Sequence, residues 1–226
     1  MLLPASLLAL TLVLYVINRR VHQARPRAWL APAIVTPGIL IAVLLGAGIP
    51  YSTYLDGTRV LLWMIGPATV AFAIPIHDNR RVIARHWRAL VCGTLAGCVT
   101  ALGTSFALSQ LLRQSPEITH SLLARSISTP FALAVSPHIG GTSDLVAIFV
   151  IVTGLVGMMF GELMLAVLPL RTQVARGALF GASAHAFGTA KARQIGEREG
   201  VVASLVMMFS GLLMVFIAPV LGHLVA

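Results

Sequence analysis

The chain has 226 residues, of which 58% are hydrophobic and 10% charged, and its formal net charge is +9. A mean hydropathy of +0.91, with far fewer charged residues than the roughly 25% usual in globular domains, excludes an ordinary soluble protein and points to an all-α, polytopic membrane protein. The basic excess would suit nucleic acid, but the positive residues flank apolar runs. Ordinary membrane topology explains them, and no nucleic-acid partner is expected.

Apolar runs of about 20 residues, the length of a membrane helix, fall near 1–17, 29–49, 57–76, 89–112, 145–170 and 200–225. No Lys or Arg precedes the first run, so it reads as a spanning helix with its N-terminus outside rather than a signal peptide. Three basic loops lie between the spans. The first holds Arg19, Arg20, Arg25 and Arg27. The second holds Arg80, Arg81, Arg85 and Arg88. The third runs from Arg171 and Arg176 to Lys191, Arg193 and Arg198. Cys92 and Cys98 sit inside the fourth span without metal-ligand spacing and read as small core residues. Neither a metal nor a cofactor is expected.

Two further segments are apolar but unsuited to a simple spanning helix. Residues 126–143 carry Pro130, Pro137, Gly140 and Gly141; residues 177–190 carry Gly177, Gly181, Ser183, His185, Gly188 and Thr189. Each unpaired backbone group in hydrocarbon costs several kcal/mol, so broken backbone persists there only when protein covers it or it lines a polar cavity. Broken helices of this kind mark transporter solute paths. If 126–143 enters and leaves at the outer face and 177–190 at the inner face, six spans put all three basic loops inside. The rival threading, with eight crossings, moves only Arg171 and Arg176 outside. The proline-bracketed runs Gly66–Pro75 and Thr129–Pro137 resemble each other. They raise an inverted repeat, with a chance match of one short motif as the alternative.

The chemistry expected of these segments is anion binding. Ser128 or Thr129 suits an N-cap and Pro130 a first helical turn, and a half-helix N-terminus attracts anions. Arg125 would add a full charge matched to a carboxylate; the plainer reading has it reaching lipid headgroups from a surface helix. Gly140 and Gly141 either offer amides to a carboxylate or form a turn, and Asp144 caps the next helix. His185 is an intramembrane ionisable residue, either a donor or proton carrier or a neutral ring bonded to a freed carbonyl. Glu162, after Gly154, Gly157 and Gly161, is either a proton-coupling site or an interface contact; the glycines read as close helix packing. The expected substrate-binding set is Arg125, Ser128, Thr129, Pro130, Ser136, Gly140, Gly141, Ser183, His185, Gly188 and Thr189, with His185 and Glu162 as coupling candidates. A Ser183–His185 hydrolase is not expected, because the spacing turns the two side chains apart on a helix. No catalytic residues are assigned.

The runs Gly66-Pro67-Ala68-Thr69-Val70-Ala71, Ser128-Thr129-Pro130, Ile139-Gly140-Gly141, Gly154-x-x-Gly157 with Gly161, and Ser183-Ala184-His185-Ala186-Phe187-Gly188-Thr189-Ala190 resemble motifs of the LrgB (CidB/LrgB) family of bacterial membrane proteins. Their order and spacing hold from about residue 30 to 225, which makes 1–226 one LrgB-like transmembrane domain. The resemblance implies one of two roles. One is transport of small monocarboxylates such as glycolate, glycerate or pyruvate, by likeness to the C-terminal part of the plastidic glycolate/glycerate translocator, with H+ or Na+ as coupling ion. The alternative is an antiholin-like regulator of murein hydrolase activity. It also implies a multi-pass protein of the bacterial inner membrane beside a small LrgA/CidA-like membrane partner. A homo-oligomer, most simply a dimer, is expected.

Overall fold

The computed structural model describes residues 2–25 and 30–225. Arg27, assigned to the first basic loop, lies outside the described residues. All regular elements among them are helical. The contacts divide the chain into two units, Met1–Pro67 and Ala68–Ala226.

The first unit holds α1 (Leu2–Ala24), α2 (Pro32–Gly46) and α3 (Tyr51–Trp63). Asn18 Nδ2 donates to Thr36 Oγ1 at 3.0 Å between α1 and α2, and the Thr11 and Tyr54 hydroxyls meet at 3.2 Å between α1 and α3. Helix α1 is longer than the expected span because it continues through Arg19 and Arg20. Arginine is a good helix former and can hold its charge outside the hydrocarbon while its stem covers apolar surface.

The expected span 57–76 belongs to a longer helical run, Tyr51–Asp78, broken into α3, α4 (Ile65–Val70) and α5 (Ala73–Asp78). Proline explains both breaks. It lacks an N–H and its ring collides with the carbonyl four residues earlier. Pro67 faces back on Trp63, where α3 ends, and Pro75 on Ala71, in the gap before α5.

The second unit is built around α6 (Arg80–Leu111), α9 (Ser143–Val167) and α11 (Glu197–Val225). The second basic loop is not a loop: Arg80, Arg81, Arg85 and Arg88 occupy the first turns of α6, which leaves helical geometry at His86 (φ −121°, ψ 19°). Helix α9, at 25 residues, is about 37 Å long and spans a hydrocarbon layer of about 30 Å. Helix α11 is the inner wall, with Val202, Ala203, Leu205 and Val206 fully buried.

The two broken segments are hairpins entering from opposite faces. Helix α10 covers Gln173–Ile195 but has non-helical backbone at His185. A straight helix of its 23 residues would separate its ends by about 33 Å, yet Arg198 Nη1 donates to Gln173 Oε1 at 3.3 Å. The two arms run side by side: a Cβ on Gly188 would strike the Phe180 carbonyl oxygen and come within 2.8 Å of Ala184 Cβ. The inner arm pairs with α11 through Gly177 against Glu199 and Val202, and Gly181 against Ala203. The returning arm pairs with it in the reverse sense, Thr189 with Met207 and Arg193 with Ser204.

The other hairpin comprises α7 (Pro116–Leu123), α8 (Thr129–Val135) and a 3-10 turn (Ser136–Ile139). Thr142 Oγ1 donates to Glu117 Oε1 at 2.6 Å and Thr142 N–H to Ser121 Oγ at 3.0 Å, so both ends of this segment lie at one face. Its returning arm runs along α11, with Phe131 at Gly211 and His138 at Gly222. Among the described residues four helices are long and apolar enough to cross a membrane, Tyr51–Asp78, Arg80–Leu111, Ser143–Val167 and Glu197–His223, and both broken segments fold back on themselves, as the re-entrant threading expects. Each half of the second unit is a hairpin followed by a span, 116–167 from one face and 173–225 from the other, in inverted orientation. The repeat expected between Gly66–Pro75 and Thr129–Pro137 is displaced to these halves; the two runs instead touch, with the Phe72 and Phe131 rings stacked at 5.7 Å.

The tight return of α10 makes a stability prediction. Gly188→Ala forces a methyl into the Phe180 carbonyl and costs about 1–3 kcal/mol. Gly103→Ala, on α6 with nothing within 4 Å of its Cβ position, is neutral or stabilising by about 0.4–1 kcal/mol. Thermal unfolding in detergent compares them, and equal melting temperatures contradict the hairpin packing.

Candidate functional site at the hairpin tips

The tip of the first hairpin is the non-helical stretch between α7 and α8, and Arg125 sits on it. The tip of the second is His185. The packing of α9 fixes the depth of the second tip: Gly154 faces Phe187, Gly157 faces Ser183 and Ala184, and Gly161 faces Phe180. These glycines lie midway along α9 and let the hairpin approach closely, the packing role expected for them.

The two tips meet. The His185 ring lies against the Arg125 backbone carbonyl and within electrostatic reach of its guanidinium. The approach falls short of hydrogen-bond geometry, so neither ring nitrogen has a partner, although the residue is only 1% exposed. The ring thus lies against a freed carbonyl, as one of the two expectations had it, without a bond of ordinary geometry. Its backbone is unusual as well, at φ 40° and ψ −121°, a region that costs a residue with a Cβ about 1–3 kcal/mol. Strained backbone and a buried ring with neither nitrogen bonded both cost stability.

Arg125 is half-buried and held by neutral groups. Its Nε donates to Ser105 Oγ at 2.8 Å and its Nη1 to Thr153 Oγ1 at 3.5 Å. The ion pairs among the described residues are His77–Asp78 and Lys191–Glu162, and neither neutralises it. Arg125 reaches inward to α6 and α9 rather than to a membrane surface. With Ser126, Ser183, Thr100 and Thr104 it lines a cavity of about 480 Å³ between α6 and α10.

The other expected site residues are distributed unevenly. Ser183 lines the cavity, with its hydroxyl proton given to Leu179 O at 2.7 Å and its lone pairs still available. Ser128 is the N-cap residue of α8 but makes no side-chain cap; its hydroxyl is buried without a partner. Thr129 and Pro130 form the first turn of α8, and Thr189 donates to Met207 Sδ at 3.8 Å. Gly188 is a packing residue of the hairpin. Ser136, Gly140 and Gly141 stand apart from the cavity lining. Ser136 Oγ donates to Gly141 O at 2.8 Å, and the amides of Gly140 and Gly141 both donate to Ser136 O. Those amides are spent, so the turn reading of the paired glycines replaces the anion-contact reading. Gly140 adopts φ 73°, which glycine alone takes without strain. Asp144 lies in the first turn of α9, whose N-cap is Thr142; it complements the helix dipole rather than capping. Glu162 pairs with Lys191 Nζ at 2.6 Å, an interface contact within the second unit.

Sequence reasoning missed Ser105 and Thr153, which hold Arg125, and Thr100 and Thr104, which share its cavity. The pair Thr100–Thr104 was visible as an i, i+4 hydroxyl stripe on an otherwise apolar span, a spacing that sets two side chains on one face.

These features define a class: a multi-pass α-helical membrane protein in which two oppositely directed hairpins bring a cation and an imidazole together beside the middle of α9. The chain belongs to the LrgB-like family, whose model matches residues 11–224. It is 34% identical over 214 residues, 95% of each chain, to the uncharacterised protein YwbG of Bacillus subtilis (strain 168). It is 29% identical over 215 residues, 95% of this chain and 94% of the relative, to the holin-like protein CidB of Staphylococcus epidermidis. No solved structure matches it.

The backbone at His185 reverses a familiar ranking. In an ordinary helix interior glycine is about 1 kcal/mol worse than alanine. At this position His185→Gly is expected to be the more stable variant, by about 1 kcal/mol, and His185→Val the least stable. Thermal unfolding of the three variants checks the order; alanine above glycine contradicts the reversed backbone.

Proposed function

We propose that the protein is a transporter, or transporter subunit, for small monocarboxylates such as glycolate, glycerate or pyruvate. The observation that carries this reading is Arg125: a guanidinium at mid-depth, held only by neutral hydroxyls, facing a cavity large enough for a small organic acid. Intramembrane charges are costly and normally paired. A bound carboxylate would supply the missing partner, with Ser126 and Ser183 offering further polar contacts. Two inverted halves around a midplane site are the usual basis of alternating access.

His185 is the coupling candidate in this reading. A buried imidazole beside the anion site can gain or lose a proton as the substrate arrives; the coupling ion is H+, with Na+ as the alternative. Glu162, already paired, holds the returning arm of α10 to α9. The proposal includes no catalytic step. It places the protein in the bacterial inner membrane with its basic end cytoplasmic, as a homodimer or beside a small LrgA/CidA-like membrane protein. The name of the staphylococcal relative, a holin-like protein, favours a second reading: an antiholin-like regulator of autolysis that assembles with such a partner.

Uptake of labelled glycolate, glycerate, pyruvate and lactate into proteoliposomes, with and without the partner, separates the two. Arg125→Ala is expected to weaken apparent affinity at least about tenfold, since a hydrogen bond to a charged group contributes about 1.5–3 kcal/mol. Arg125→Lys retains part of the activity. His185→Gln, which keeps a donor but cannot titrate, is expected to alter the pH dependence of uptake more than its affinity. Normal uptake by a folded Arg125→Ala protein sinks the transporter reading and favours the regulator.

A further inference from the structure

A second cavity, about 850 Å³, opens at the basic end of the second unit and is lined by His86, Arg171 and Arg198 together with Cys92. Among the described residues, no acidic side chain lines it. It shares Gly93, Ala175 and Ala178 with the cavity beneath Arg125. The two are therefore consecutive parts of one groove along the seam where α6 packs on α10, with Gly93 against Ala178 and Gly97 against Ala182. From His86 to Thr104 the groove covers eighteen positions of α6, about 27 Å. Its floor between the ends is made of small residues, Gly93, Ala96, Gly97, Ala175, Ala178 and Ala182. Among the described residues, the charged side chains along it are Arg171, Arg198 and Arg125.

We infer that this groove is an anion-conducting vestibule: the cytoplasmic entrance through which small carboxylates reach Arg125, with Arg171 and Arg198 as an electrostatic collar at its mouth. The inference rests on the transporter reading for its final ligand, but the vestibule itself is a property of the groove. A cleft of one sign with low-dielectric walls concentrates anions and speeds their arrival by 10-fold or more. The mouth is shaped by the His86 break in α6 and by the Arg198–Gln173 bond that closes the base of the α10 hairpin. On its far side Arg198 borders a separate depression that includes Glu197 and Glu199, which damps its contribution and leaves Arg171 the stronger member of the collar.

The native cysteines test this without further engineering. Cys92 lines the mouth, whereas Cys98, two turns along α6, is buried. Inside-out membrane vesicles are treated with two membrane-impermeant methanethiosulfonates, the anionic sulfonatoethyl and the cationic trimethylammonioethyl reagent. Modification at each cysteine is read by peptide mass spectrometry and normalised to a free thiol in solution. Cys92 is expected to react with the anionic reagent at least about fivefold faster than with the cationic one, and Cys98 with neither. Arg171→Gln, and high salt acting on the unaltered chain, should each erase most of that preference. Equal rates, or no reaction of Cys92 from the cytoplasmic face, overturn the vestibule. Labelled glycolate uptake is followed in parallel. An anion preference at Cys92 without uptake keeps the vestibule and rejects the transporter reading. Uptake without any reaction at Cys92 keeps transport and rejects the vestibule.

Discussion

The structure depends on one constraint, the cost of reversing a chain inside hydrocarbon. Each hairpin tip exposes peptide groups that lipid cannot satisfy. The fold meets that cost by burying both tips against each other and against α9 and α11. The small-residue faces follow from this. Gly154, Gly157 and Gly161 on α9 and Gly177, Gly181 and Gly188 on α10 let backbones approach where larger side chains would hold the tips apart. Arg125 and His185 are placed by the same geometry, one on each tip, so the polar chemistry sits where the packing is closest.

The inverted halves give the arrangement its functional sense. A single hairpin would leave a pocket open to one face. In the transporter reading, two hairpins from opposite faces, each followed by a span, would give a site that opens to either side in turn. The strain at His185 belongs here. A non-glycine residue at φ 40° with both ring nitrogens unsatisfied persists only because α9 and α11 enclose it. Such residues cluster at sites where strain or an unmet bond is part of the work.

Much of this was legible in the residues. Proline and glycine placement marked both broken segments, whereas the distribution of arginine left re-entrant hairpins and two extra crossings both open, because only Arg171 and Arg176 change side between them. That Arg125 and His185 serve one site was expected, but the direct approach of the His185 ring to the Arg125 backbone was not legible. The residues are sixty positions apart, and their meeting is set by which helix faces carry glycine. The paired glycines Gly140–Gly141 were ambiguous for a similar reason: their amides bond within the turn, and only the geometry of Ser136 and Ser121 reveals it. The inverted repeat was visible as a possibility but was sought between the wrong segments. Hairpin and span repeat in shape while their side chains differ.

The meeting of the tips is the claim on which the account stands, and cross-linking tests it most directly. In a chain with Cys92 and Cys98 replaced by alanine, Ser126→Cys and Ser183→Cys place one thiol beside each tip, both facing the same cavity. A short bifunctional thiol reagent applied to native membranes should join them within one chain, detected by mass spectrometry of the linked peptides. Failure of the pair to link, with both cysteines shown to be reactive singly, contradicts the meeting of the tips and with it the shared site.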